Sequence, residues 1–350
     1  MIQHQNILDI LQEFNLNGNQ IQYTPLTAGL INDTFLVTDD EKQQFILQKI
    51  NHKVFKNVGV LMNNINYALP FLTADDYAQI SFLPTKSGKN YLETNGGFWR
   101  IMTYIPDSTT YNTTTNSNIA FEAGRIVGGF HSLLKKGNVA LFKDTLPKFH
   151  HLDHRAQEFE EALATSEIQK REIAAKGIKK ARHFLKELQH LNTEKLPVRI
   201  CHNDTKLNNI LFSKTTDKAL CLIDLDTFMK GYFYYDFGDA IRTVVNVAPE
   251  DEQNHDLISF NSELFEAFVD GLASNESFLT EEEKQSLPLG AVFMPFIHGL
   301  RALTDYLNNN TYYKVAYENQ NLDRCLSLFD FAEKALAKKE MMAAYIQKCL

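Results

Sequence analysis

Cysteine is scarce in this 350-residue chain, and none of Cys201, Cys221, Cys325 and Cys349 stands in C-x-x-C spacing. That argues against a disulfide scaffold or a thiolate metal cluster and leaves buried or inert thiols. No run of Lys and Arg reaches even about five residues, and the formal net charge is -8. Nucleic acid and membrane surfaces both favour a basic patch, so neither is an expected partner. No stretch approaches about 18 consecutive apolar residues, and residues 1–6 lack a basic-then-apolar leader, which makes a cytoplasmic protein the expectation. Repeats and low-complexity tracts are missing as well. What is there is an ordinary globular composition, 44% hydrophobic, with length enough for about two lobes.

Those lobes differ in pattern. Up to about residue 105, turn signals alternate with β-rich runs; beyond it, apolar residues recur at helical spacing. Ile7, Leu8, Leu11 and Phe14 predict a short amphipathic helix, and 20–26, 33–38, 43–50 and 98–104 predict strands of an antiparallel sheet. Pro106 and the Thr- and Asn-rich stretch 108–118 read as the connector, dividing a sheet lobe (1–105) from a helical lobe (106–350). In the second lobe, Ile119 to Leu134 and the long charged pattern 155–191 predict helices. Thr280 to Glu283 has the form of a capping box, Pro288 is expected to interrupt the helix begun there, and 289–307 and 322–342 complete the set. The expected class is α+β.

Chemistry concentrates in one segment. His202, Asp204 and Asn209 form H-x-D-x-x-x-x-N, and the apolar run 219–223 then ends in Asp224-x-Asp226. In that spacing the Asp can accept the proton of an attacking hydroxyl, while the Asn reaches a magnesium ion on the phosphates of ATP. Runs 210–212 and 219–223 predict two short strands around the turn 213–218. The hairpin would bring Asp224 to the same metal. His202 reads as a brace for the loop, and the role of Asp226 stays open. Asp236-Phe237-Gly238 resembles a metal-binding triplet but lies a dozen residues too far on; Asp236 or Asp239 is expected to anchor the loop or pair with Arg242.

Other candidates are more diffuse. The turn with Gly29, Asn32 and Thr34 could lay backbone N–H groups over phosphates. Lys49 alternates onto the face of Phe45 and Leu47 and could reach them too, although a shift of one residue would put Gln48 there. No Glu lies between Lys49 and Glu93 to pair with that lysine, leaving Asp75 or Asp76. Backbone groups near Met102 and Tyr104 could meet an adenine edge, although an ordinary core strand reads equally well. His298, Arg301 and Asp305 share a helical face, either as a surface pair or as a cleft lining. In the second case Arg301 and Asp305 would hydrogen-bond a polar substrate, and Tyr312, Tyr313 and Tyr317 would offer rings for stacking. The cluster His150, His151, Asp153, His154 reads as a solvated loop more than as a metal site.

Taken together, these motifs resemble the aminoglycoside/choline-kinase-like phosphotransferase superfamily. The segments beginning at Gly29, Ile46, His202, Tyr235 and His298 are more closely similar to N-acetylhexosamine 1-kinases. The resemblance implies a bilobal protein-kinase-like fold and an ATP- and Mg2+-dependent kinase acting on the anomeric hydroxyl of N-acetylglucosamine or N-acetylgalactosamine. It implies Asp204 as base, Asn209 and Asp224 as metal ligands, and Arg301 and Tyr312 as sugar contacts. Two alternatives stand beside it. One is a choline- or ethanolamine-type kinase, against which Arg301 weighs; the other is a nucleotide-binding protein without turnover.

Overall fold

The computed structural model describes residues 4–17, 20–26, 31–188 and 193–350. The chain divides into two compact units, Met1–Asp107 and Ser108–Leu350.

In the first unit, α1 (His4–Gln12) precedes three antiparallel strands, β1 (Gln22–Leu26), β2 (Asp33–Thr38) and β3 (Gln44–Ile50). Helix α2 (Val58–Ala68) comes next, then β4 (Phe82–Leu83), β5 (Leu92–Thr94) and β6 (Gly97–Thr103). The sheet runs β1-β2-β3-β6-β4, with β5 also paired to β6. Strand alternation sends Phe35, Val37, Leu47, Trp99 and Ile101 to one face, where they pack with Ile7, Ile10, Leu11 and Phe14 into a core. Leu8, expected on the buried side of α1, is 43% exposed. The opposite face carries Thr34, Leu36, Ile46, Gln48 and Met102, all half-buried. Helix α2, which the sequence pattern does not separate out, brings Met62 Sδ to 3.7 Å from Arg100 Nη1.

The second unit holds two small sheets within a helical body. Strand β7 (Ser108–Thr109) joins β9 (Ile210–Ser213) and β10 (Ala219–Leu222), while β8 (Arg199–Cys201) pairs with β11 (Met229–Gly231). Around them lie α3 (Ser117–Leu134), α4 (Leu152–Thr165), α5 (Ile168–Ile173), α6 (Ala175–Leu188), α7 (Phe233–Val244), α8 (Ser262–Ala273), α9 (Glu281–Leu307), α10 (Gln320–Ala337) and α11 (Lys339–Cys349).

Two expectations need correction. The single helix over 155–191 is three shorter ones: the Thr165 and Ser166 hydroxyls donate to the carbonyls of Glu161 and Leu163, and Ser166 turns extended, which ends the turn. Pro288 does not interrupt α9, which starts at a full capping box on Thr280 and runs through both Pro288 and Pro295. Tertiary packing outweighs the lost backbone bonds. Helices α7 and α9 approach so closely that a Cβ at Gly238 would lie 2.1 Å from the Gly290 carbonyl oxygen. Among the described residues α9 is also the one helix long and apolar enough to cross a membrane, and 78% of its most apolar window is buried in the structure.

Candidate active site

The loop after β8 is held from beneath by one carboxylate. Asp236, fully buried on α7, accepts the backbone N–H of His202 at 2.8 Å and of Asn203 at 2.6 Å. His131 Nε2 lies 2.8 Å from the same carboxylate, and the Thr205 hydroxyl donates to the Asp236 carbonyl at 2.5 Å. Asn203 takes a left-handed φ of 63°, a conformation Asn tolerates well. Its amide donates to the carbonyls of Cys201 and Thr227. The chain therefore turns sharply just before Asp204. His131, Cys201 and Asp236 converge closely enough to suggest a metal, but the Asp236 oxygens are already taken by the loop. Asp239 pairs with Arg242 at 2.7 Å, so the two aspartates divide the tasks that sequence left between them.

His202 links the loop to the hairpin. Its Nδ1 accepts from the Asp204 N–H at 3.3 Å, and Nε2 lies 2.9 Å from the Ile223 carbonyl, which fixes the proton on Nε2. Burial, the largest influence, holds this imidazole below its ordinary pKa. The Ile223 N–H donates to the Asn209 carbonyl at 2.8 Å. Ile223 is thus a common anchor for the loop and for the turn where Asp224, at φ 61° and ψ 57°, presents an exposed carboxylate.

Three groups meet there. Asn209 Nδ2 donates to the carbonyl and to Oδ2 of Asp204, both at 2.8 Å. With its N–H groups spent that way, its amide oxygen is directed elsewhere. Lys206, which no sequence motif singles out, sets its Nζ 3.2 Å from Asp204 Oδ2. Burial alone would lower the Lys206 pKa, but Asp204, Asp224 and Glu250 outweigh it and hold the ammonium above its usual value. Hard oxygen donors on Asn209 and Asp224, beside a carboxylate, suit a divalent cation of the magnesium type.

A second group of side chains lies within electrostatic reach of Asp204. The Arg301 guanidinium stacks 4.6 Å from the Phe149 ring and 5.8 and 5.9 Å from Tyr312 and Tyr313. Burial works against its charge, yet Tyr313, Tyr312, Asp204 and Glu158 keep its pKa above the ordinary value. Asp305, expected to accept from a substrate, does something else. It is 5% exposed and receives the N–H groups of Tyr312 and Tyr313 and the amide of Asn321. Its oxygens shape the Tyr312–Tyr313 turn and face inward. Tyr317 bonds Asp323 and Gln253 at the surface.

Phe149 and His150 are not singled out as an active-site pair by the sequence. His150 is no solvated loop residue: it is 3% exposed, with Nε2 3.0 Å from the Asn203 carbonyl. Burial, then His298, push its pKa down to about 3. A charge-rich network continues from it. His298 Nε2 lies 3.1 Å from Asp239 Oδ1, off the line of a hydrogen bond; Arg242 bridges Asp239 and Glu250; and Glu250 meets Arg324 at 3.1 Å.

In the first unit the nucleotide candidates separate. Gly29 lies outside the described residues. The Asn32 side-chain oxygen accepts the Asn51 N–H at 2.9 Å, clasping the turn to the end of β3. Thr34 and Met102 share the face of the sheet away from α1, and Tyr104 lies half-buried just past β6. Lys49 stands on the other face, paired in register with Trp99, its Nζ 5.4 Å from that ring. It cannot serve one ligand together with Thr34 and Met102. That face instead holds Gln48, whose Oε1 accepts from Arg100 Nε at 3.0 Å and Nη2 at 2.7 Å, and whose amide donates to Thr34. Asp75 and Asp76 are exposed.

Comparison with known proteins bears on this geometry. A family model described as the phosphotransferase enzyme family matches residues 22–269. Among solved structures, the chain is similar to a microcompartment-associated aminopropanol kinase at 15% identity, covering 96% of this chain and 98% of that one with a TM-score of 0.67. It is similar to an amicoumacin kinase in complex with AMP-PNP and Ca2+ at 16% identity, covering 96% and 94% with a TM-score of 0.59. A choline kinase from Cryptosporidium parvum matches at 13% identity over 98% and 95%, with a TM-score of 0.54. At such identities the likeness is one of fold, the protein-kinase-like α+β arrangement.

Proposed function

Because the chain belongs to the phosphotransferase enzyme family, we propose that it transfers the γ-phosphoryl group of ATP, with Mg2+, to the anomeric hydroxyl of an N-acetylhexosamine, either N-acetylglucosamine or N-acetylgalactosamine. Membership makes it an ATP-dependent phosphotransferase acting on a hydroxyl of a small molecule, which sets aside binding without turnover.

Asp204 orients the acceptor hydroxyl and takes its proton as that oxygen bonds to the γ-phosphorus and the bridge to the β-phosphate breaks. Asn209 and Asp224 would hold the divalent ion, which supplies charge neutralisation on the phosphates when bound. Lys206 adds positive charge beside Asp204. In the first unit, Thr34, Met102 and Tyr104 are the candidates for nucleotide contacts. Positioning and electrostatics supply the catalysis, with no covalent enzyme intermediate.

The observation that carries the choice of substrate is Arg301, kept charged on the ring of Phe149 within electrostatic reach of Asp204. A guanidinium fork donates to hydroxyl and carbonyl oxygens and repels an ammonium. Tyr312, whose ring flanks it, is the second sugar contact. The alternative, an amino-alcohol kinase, draws support from the likeness to the aminopropanol and choline kinases, but a cationic acceptor would sit against Arg301.

Measuring ADP release with N-acetylglucosamine, N-acetylgalactosamine, choline, ethanolamine, aminopropanol and no acceptor tests the choice. Rapid release with an N-acetylhexosamine alone is the expected result. Rapid release with an amino alcohol alone would overturn it.

A further inference from the structure

Within this site a buried nitrogen lacks an internal partner. His150 Nε2 faces the Asn203 carbonyl, so it carries the proton, and Nδ1 of the neutral ring is a bare acceptor. That Nδ1 is buried and receives no hydrogen bond. Leaving a buried acceptor unmet costs about 1–3 kcal/mol, so such an atom calls for a partner. Its surroundings are those of the proposed acceptor site. The ring is attached to the peptide just before Asp204, and its chain neighbour Phe149 carries Arg301. Next to it, with ring centroids 5.9 Å apart, stands His298, whose Nε2 also lacks a hydrogen bond, as does Oδ2 of its neighbour Asp239.

We propose that His150 is a specificity-determining residue whose Nδ1 accepts a hydrogen bond from a second hydroxyl, or the acetamido N–H, of the acceptor sugar while Nε2 braces the catalytic loop. This rests on the sugar-kinase reading above and goes beyond it. A neutral acceptor atom beside a cationic Arg301 favours an uncharged polyol. His150 then reads a donor near the reacting hydroxyl that Asp204 meets, beside the contacts of Arg301 and Tyr312. A buried group built to take a hydrogen bond discriminates strongly against analogues lacking the donor.

The test uses wild type and His150→Gln with N-acetylglucosamine, its 3-deoxy, 4-deoxy and 6-deoxy analogues, and glucose. A glutamine amide can keep the bond to Asn203 but has nothing at the position of Nδ1. The variant is expected to lose about 10–100-fold in kcat/KM for N-acetylglucosamine, mainly through the KM of the sugar and with the KM of ATP unchanged. For the one analogue lacking the relevant donor, wild type and variant should differ by less than about threefold. In the folded wild type, the Nδ1 nitrogen resonance of His150 should also move upfield on adding N-acetylglucosamine, a readout that needs no variant. Equal penalties of His150→Gln on every acceptor, or a resonance unmoved by saturating sugar, would mean that only water or structure meets Nδ1, and would overturn the inference while leaving the kinase reading intact. If wild type turns over none of these sugars, both fall together.

Discussion

The fate of single residues depends on how far their partners lie along the chain. Asp204 and Asn209 are five positions apart, and the hairpin that brings Ile223 to Asn209 is nearly as local, so their convergence could be read from spacing. His150 could not, because its partner is the carbonyl of Asn203 and a cluster of polar residues reads as solvated until tertiary contacts are known. Lys206 was legible in principle as a cation two residues past the Asp. If Asp204 is the base, Asp204→Asn keeps the amide bridge to its surroundings but cannot take a proton. Turnover should fall by about 10²–10⁴-fold while calorimetric ATP affinity stays within about threefold. A variant turning over near the wild-type rate would remove Asp204 from that role.

At the scale of elements, β3 shows where pattern alone runs out. Alternation placed Lys49 with Leu47, which is what the structure has; what alternation does not reveal is which face α1 covers. Since α1 buries the Leu47 face, Lys49 is confined to its rim over Trp99, and the polar work of the opposite face passes to Gln48 and the 1%-exposed Arg100. Arg100 lies 52 residues from Gln48, beyond any local signal. Lys49→Met should then cost less than about 1 kcal/mol of stability, the worth of an exposed cation–π contact, and leave the KM of ATP near wild type. Gln48→Leu removes the oxygen that two Arg100 N–H groups share and should cost about 2–3 kcal/mol in urea unfolding. The reverse order of effects would restore Lys49 as the phosphate contact. The helical body was legible as helices but not in its breaks, because Ser166 and Pro288 act through hydroxyl bonding and packing that propensity does not record.

Across the whole molecule, buried histidines make stability depend on pH in a stated direction. His150, His202 and His298 are all held below the ordinary imidazole value, chiefly by burial. The folded state therefore keeps them neutral while the unfolded chain protonates them below about pH 6.5. Their stabilisation is full above that pH and is lost as pH falls toward the folded values, about 3 for His150. Each should contribute about 1.4 kcal/mol per pH unit once its unfolded form is mostly protonated. Unfolding free energy measured by urea titration should fall steeply from pH 6.5 to 5, with uptake approaching about three protons. A flat profile over that window would show that these rings are charged in the folded protein. The division into a sheet unit and a helical unit was visible as a change in hydrophobic period, whereas the side chains proposed to choose the acceptor are spread from Phe149 to Tyr313.

The most direct test of that choice is phosphorus and proton NMR of the product formed from N-acetylglucosamine, ATP and Mg2+. A phosphate coupled to the anomeric proton is the outcome the proposed function predicts. Phosphate on any other oxygen, or ATP left intact with this sugar while an amino alcohol is phosphorylated, would contradict it.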